Sequence, residues 1–86
     1  IFDEKQTQPD KEFLNKELNQ VITAALGKLS EDRRLVFILK EMQQLSYKEI
    51  SEVTGSSIPK LKTDLFRAKI EMRTMLTPYM EAKNEL

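Results

Sequence analysis

Apolar residues recur at three- and four-residue steps along most of this chain, and the pattern breaks at only a few places. The first stripe is Leu14, Leu18, Val21, Ile22, Ala25 and Leu29. It predicts an amphipathic helix that starts at Pro9-Asp10 and ends near Gly27. Ser30, followed by Glu31 and Asp32, predicts the next helix start, because acidic groups suit the positive end of a helix. That second helix carries LVFILKEM and runs to about Gln43 or Gln44. Leu35, Ile38, Leu39 and Met42 are its expected core face, with Val36 and Phe37 widening the apolar surface. Such a wide belt suits a central helix packed on more than one neighbour.

The stretch from Leu45 to Lys69 reads as two helices joined by a tight turn. Ser46 is placed to cap the first, and Glu49, three residues on, completes a capping box. Ile50 and Val53 are expected to face inward, with the small Ser51 where the two helices approach closely. Gly55 falls where the chain leaves the helix and a positive φ is needed, which glycine adopts without a Cβ penalty. Ser57 can cap the next helix, and Pro59 lies in its first turn, where a missing amide hydrogen is tolerated. Ile58, Leu61 and Leu65 form an inward stripe, leaving Lys60, Lys62, Thr63, Phe66, Arg67 and Lys69 outward or sideways. This is a helix-turn-helix pattern with exposed cations on its second helix. An ordinary helical hairpin inside a bundle fits the same caps. Phe66 is open to two readings, core aromatic or surface contact.

Ile70, Met72, Met75 and Leu76 continue the pattern to Thr77-Pro78, where a break or kink is expected. Tyr79 to Leu86 would then form a final turn or fray. Residues 1–9 read as the end of an interdomain linker and 10–86 as the domain, with the helix-turn-helix at about 46–69. No strand pattern, repeat or low-complexity tract is visible. The expected fold is all-α, with four to five helices.

Composition narrows the chemistry. At 86 residues there is room for one core. The start at Ile1 rather than methionine predicts a piece of a longer protein or a processed product. Fourteen Lys+Arg balance fourteen Asp+Glu, and a zero net charge counts mildly against nucleic acid. The distribution is uneven, however. Lys60, Lys62, Arg67, Lys69 and Arg73 stand against only Asp64 and Glu71 between Ile58 and Arg73, whereas the first twenty residues lean acidic. Without cysteine or histidine there are no disulfides, no thiolate metal sites and no usual general base. No apolar run approaches a membrane span, and no signal peptide is visible. A cytoplasmic domain without metal or cofactor is expected.

The run LSEDRRLVFILKEMQQLSYKEISEVTGSSIPKLKTDLFRAK resembles region 4 of bacterial sigma-70 factors, most closely the extracytoplasmic-function (ECF) group. The characteristic pieces are RRLVFILKEM, LSYKEISEVTG and a recognition helix ending LFRAK, and the similarity spans about Leu26 to Leu76. The resemblance implies a winged-helix-like, region 4 type domain that places its recognition helix in the major groove of the −35 promoter element. By position in the motif, Lys60, Lys62, Thr63, Phe66 and Arg67 match residues that face the groove, with Arg67 the best candidate for a guanine contact. Ser46, Tyr47, Lys48, Ser57 and Lys69 match positions that hold the phosphate backbone. The implied partners are promoter DNA, the β flap of the RNA polymerase core and an anti-sigma factor, with no membrane and no small-molecule substrate.

Several positions depart from the family pattern. Pro59 replaces a common glycine, Lys60 replaces a threonine, and Asp64 stands where arginine is frequent. A carboxylate near phosphates is repulsive, so altered affinity or orientation is expected. Thr54 and Ser56 are more polar than the usual aliphatic neighbours of the turn glycine, which predicts a more exposed or looser turn. Together with the zero net charge, Asp64 motivates an alternative: a helix-turn-helix shape that binds a regulatory protein without reading DNA. In the leading reading, Met72, Met75 and Met80 could serve an anti-sigma partner, since thioethers adapt to varied surfaces, though core packing is the plainer reading. An enzymatic role has no support in Gly-rich loops, nucleophiles or paired carboxylates.

Overall fold

The computed structural model describes residues 9–84, with side chains placed over 15–82. The linker expected over the first residues therefore lies almost wholly outside the described part. Four helices follow in order: α1 (Pro9–Gly27), α2 (Glu31–Phe37), α3 (Tyr47–Thr54) and α4 (Ile58–Asn84). A π-helical turn (Ile38–Met42) extends α2. Among the described residues there is no strand, so the wing of a winged helix has no counterpart there. No helix among them is long and apolar enough to cross a membrane.

Local chemistry sets the boundaries. The Ser30 hydroxyl accepts from the Arg33 amide (3.4 Å) at the start of α2. Arg34 then reaches back, its guanidinium donating to the Leu29 and Leu26 carbonyls (3.1 and 3.4 Å) around the end of α1. The Leu26 carbonyl is among the groups a helix end leaves without an intrahelical partner, and the Leu29 carbonyl lies in the exit just beyond it. At the far end of α2 the Gln43 amide bonds the Ile38 carbonyl, the five-residue step of a π turn. The helical run thus closes at Met42, and Gln44 turns the chain with φ 61° before α3.

Two small apolar cores share α4. Ala25, Leu26 and Leu29 of α1 and its exit pack on Ala68 and Met72, flanked by Ile22, Phe37, Ile38, Met75 and Leu76. Val36 of α2 and Ile50 of α3 pack on Leu61 and Leu65, flanked by Phe37, Leu39, Leu45 and Tyr47. Phe37 borders both, so α2 is the central helix its broad apolar belt predicts. Ala68 is fully buried, and its short side chain lets α4 lie close to its neighbours.

Some inward assignments are corrected. Val36 is buried whereas Leu35 is 44% exposed, because Leu35 shares a helix face with Glu31 and Asp32, which stay in water. Met42 and Val53 are exposed, Val53 at 72%, since each sits at the end of its element beyond reach of α4's buried stripe. Ile58, expected inward at the start of α4, is exposed as well. The break expected at Thr77-Pro78 is absent: α4 runs through Pro78 to Asn84. Proline removes one amide donor. Here the Thr77 hydroxyl bonds the Arg73 carbonyl (2.6 Å), and Tyr79 reaches Glu17 on α1 (3.4 Å). Packing on α1 thus holds the turn that propensity alone would interrupt. In the Met72, Met75 and Met80 series, the first is buried, the second half-buried and the third exposed.

Candidate nucleic-acid interface

The corner between α3 and α4 is built by serine and threonine. Ser46 Oγ accepts from the Glu49 amide (3.0 Å), while Glu49 Oε1 accepts from the Ser46 amide (2.8 Å), completing the capping box. Gly55 takes φ 79°, and its amide bonds the Ser51 carbonyl (2.8 Å). Thr54 Oγ1 donates to the Ile50 carbonyl (2.8 Å) and accepts from the Ser56 amide (3.2 Å). Ser51 Oγ donates to the Ser56 carbonyl (2.7 Å). The polar Thr54, expected to loosen the turn, instead ties it together through its hydroxyl, while Ser56 contributes its backbone amide and carbonyl. Ser57 Oγ accepts from the Lys60 amide (3.3 Å), opening α4.

This corner fixes which way α4 presents its residues. Leu61, Leu65, Ala68 and Met72 are buried along one side. Lys62, Thr63, Phe66 and Arg67 lie exposed away from that stripe, so Phe66, at 65% exposure, stands at the surface rather than in the core. A shallow groove beside it is lined by Tyr47, Lys62, Leu65, Phe66 and Lys69, bringing the start of α3 next to α4. Tyr47 is flanked by two ammonium groups, Lys40 at 4.6 Å and Lys62 at 5.6 Å from its ring centre. Such contacts hold a lysine head over an aromatic face without neutralising it. Lys40 also donates to the Leu45 carbonyl (3.3 Å), which fixes it beside the ring.

The expected contacts are not equally available. Among the described residues, Lys62 has no ion pair beside its ring contact, and Lys48 and Arg67 have none either. Lys69 is paired with Glu41 (3.1 Å). Lys60 is held by two carboxylates, Asp64 at 2.7 Å and Asp32 at 2.9 Å. Hydrogen bonds first to Asp64 and then to Asp32 raise its pKa above the ordinary lysine value. Asp64, expected beside phosphates, is turned toward this pair and is mostly covered. Because the Ser46 amide is committed to Glu49, the open amides of that first turn belong to Tyr47 and Lys48.

Sequence reasoning missed Lys40, Asp32 and the ion pair between Arg33 and Glu71. Lys60 and Asp32 are 28 positions apart, and Arg33 and Glu71 are 38 apart. No local periodicity links residues so distant. The neighbouring pair Lys60 and Asp64, four apart on one helix, does carry a readable signal.

Comparison with known proteins agrees with this geometry. A family model, sigma-70 region 4, matches residues 19–72. RNA polymerase sigma factor YlaC of Bacillus subtilis is 35% identical over 74 residues, covering 86% of this chain and 43% of that protein. The ECF RNA polymerase sigma-E factors of Haemophilus influenzae and Escherichia coli (strain K12) are each 28% identical over 72 residues, covering 84% of this chain and 38% of theirs. The chain therefore spans less than half the length of these curated relatives. With a capped helix-turn-helix, an exposed cationic face and a matching family model over most of its described length, the chain belongs to the sigma-70 region 4 family.

Proposed function

We propose that this domain recognises the −35 element of promoters for an ECF-type RNA polymerase sigma factor, and so helps direct transcription initiation in the cytoplasm, at the nucleoid. The observation that carries the reading is the exposed row Lys62, Thr63, Phe66 and Arg67 on α4, set beside the open amides of Tyr47 and Lys48. In this reading α4 enters the major groove. Arg67 donates to a guanine edge, Phe66 packs on base or sugar, and Lys62 and Lys48 hold phosphates. Ser46 and Ser57 act through their caps, which aim the helix starts at the backbone. Docking on the polymerase β flap and control by an anti-sigma factor belong to the same proposal. The role is recognition, with no catalytic step.

The alternative, a helix-turn-helix shape that binds protein without reading DNA, drew on Asp64. That carboxylate is satisfied by Lys60, so it gives the alternative less support. Selection from a duplex library with a randomised centre tests the proposal. One enriched motif is expected, and Arg67→Ala should weaken binding to it by about 1–3 kcal/mol, the worth of a bidentate base contact. Equal binding to enriched and scrambled duplexes, unaffected by Arg67→Ala, would contradict it.

A further inference from the structure

The Lys60 cluster sits at the end of α4 that the proposed function puts into the groove. It joins one ammonium to two carboxylates, from α2 and from the next turn of α4. One positive and two negative groups leave it net negative, on the flank adjoining Arg67. Asp64 precedes Arg67 by three residues, so the two share a stretch of helix surface. The cluster thus has two electrostatic effects. It withholds a cation from phosphates, and it sets a repulsive edge beside the main candidate for base reading.

These effects do not weigh equally on all complexes. Non-specific association with a duplex is almost wholly electrostatic and tolerates many orientations, including ones rolled about the helix axis. A specific complex is fixed by contacts to base edges. A negative edge on one flank repels phosphates mainly in rolled orientations. We propose that Asp32, Lys60 and Asp64 form a specificity filter, which lowers affinity for arbitrary duplex more than affinity for the cognate site. The inference rests on α4 binding DNA as proposed above. Asp32 and Asp64 act here as positioning groups for Lys60, with no direct contact to bases.

The test compares the full 86-residue chain with Asp32→Asn/Asp64→Asn, Lys60→Gln and the triple variant, on selected and scrambled duplexes across a salt series. Freeing Lys60 should steepen the salt dependence on scrambled duplex by about one unit, the effect of one added phosphate contact. Affinity for scrambled duplex should rise several-fold and affinity for the selected site by less, and the triple variant should lose the steeper slope while keeping only the part of the gain that comes from removing the negative edge. Lys60→Gln alone should leave the slope unchanged. If the double variant loses helicity, Asp32→Asn alone serves, since that carboxylate is the more exposed, and a smaller gain of the same kind is expected. An equal gain on both duplexes, no gain on either, or a loss of slope in Lys60→Gln would overturn the filter while leaving promoter reading intact. Failure of the parent chain to prefer the selected duplex would instead overturn promoter reading, and the filter with it.

Discussion

Along the first four turns of α4, the flank facing α2 and the face turned to solvent treat charge differently. On the α2 side Lys60 lies between Asp32 and Asp64, and Glu71 meets Arg33. On the outer face, among the described residues, Lys62 meets an aromatic ring and no carboxylate, and Arg67 has no ion pair. The first set ties α4 to α2. The second remains available to a polyanion. A formal charge of zero therefore hides a sorted surface, in which several carboxylates are spent on neighbouring cations and others stay open. Counting charges argued mildly against nucleic acid, but their placement argues for it.

The adjacent residues Leu65 and Phe66 offer the strongest test of this division. Leu65 is buried in the second core and Phe66 is largely exposed. Leu65→Ala should cost about 2–5 kcal/mol, the usual loss for a buried leucine. That is a large share of the roughly 5–15 kcal/mol that stabilises an ordinary domain. Phe66→Ala should change stability by no more than about 0.5 kcal/mol, as at other exposed positions. Its effect should appear in duplex affinity. Urea melts followed by circular dichroism separate the two, and a large stability loss in Phe66→Ala would place that ring in the core.

A smaller effect is expected on the paired flank. Arg33 and Glu71 are each about one-third exposed, so Arg33→Gln should cost at most about 1 kcal/mol of stability. Duplex affinity and its salt slope should not change. A shallower slope would mean that Arg33 reaches phosphate and that the α2 side is part of the interface.

The sequence carried most of the corner and less of its surroundings. Ser46, Glu49, Gly55 and Ser57 declare themselves because capping is a local matter of three or four residues. Leu61 and Leu65 follow from helical period. Val53 and Leu35 misled, because an apolar side chain marks a possible inward face, and only the crossing of neighbouring helices decides which is used. Pro78 misled for a related reason: packing against α1 outweighs the local preference to end a helix. The fates of Lys60 and Asp64 depend on Asp32, brought near by the fold, so the repulsion expected from Asp64 could not be weighed from its position alone.

The central claim is that one face of α4 meets DNA and the other does not. Titrating a nitrogen-15-labelled chain with its selected duplex, and following each backbone amide by NMR, tests this most directly. The largest shifts are expected at Lys62, Thr63, Phe66 and Arg67, with Tyr47 and Lys48 beside them, and small changes around Arg33 and Glu71. Shifts concentrated on the Arg33 and Glu71 flank, with the Phe66 region still, would contradict it.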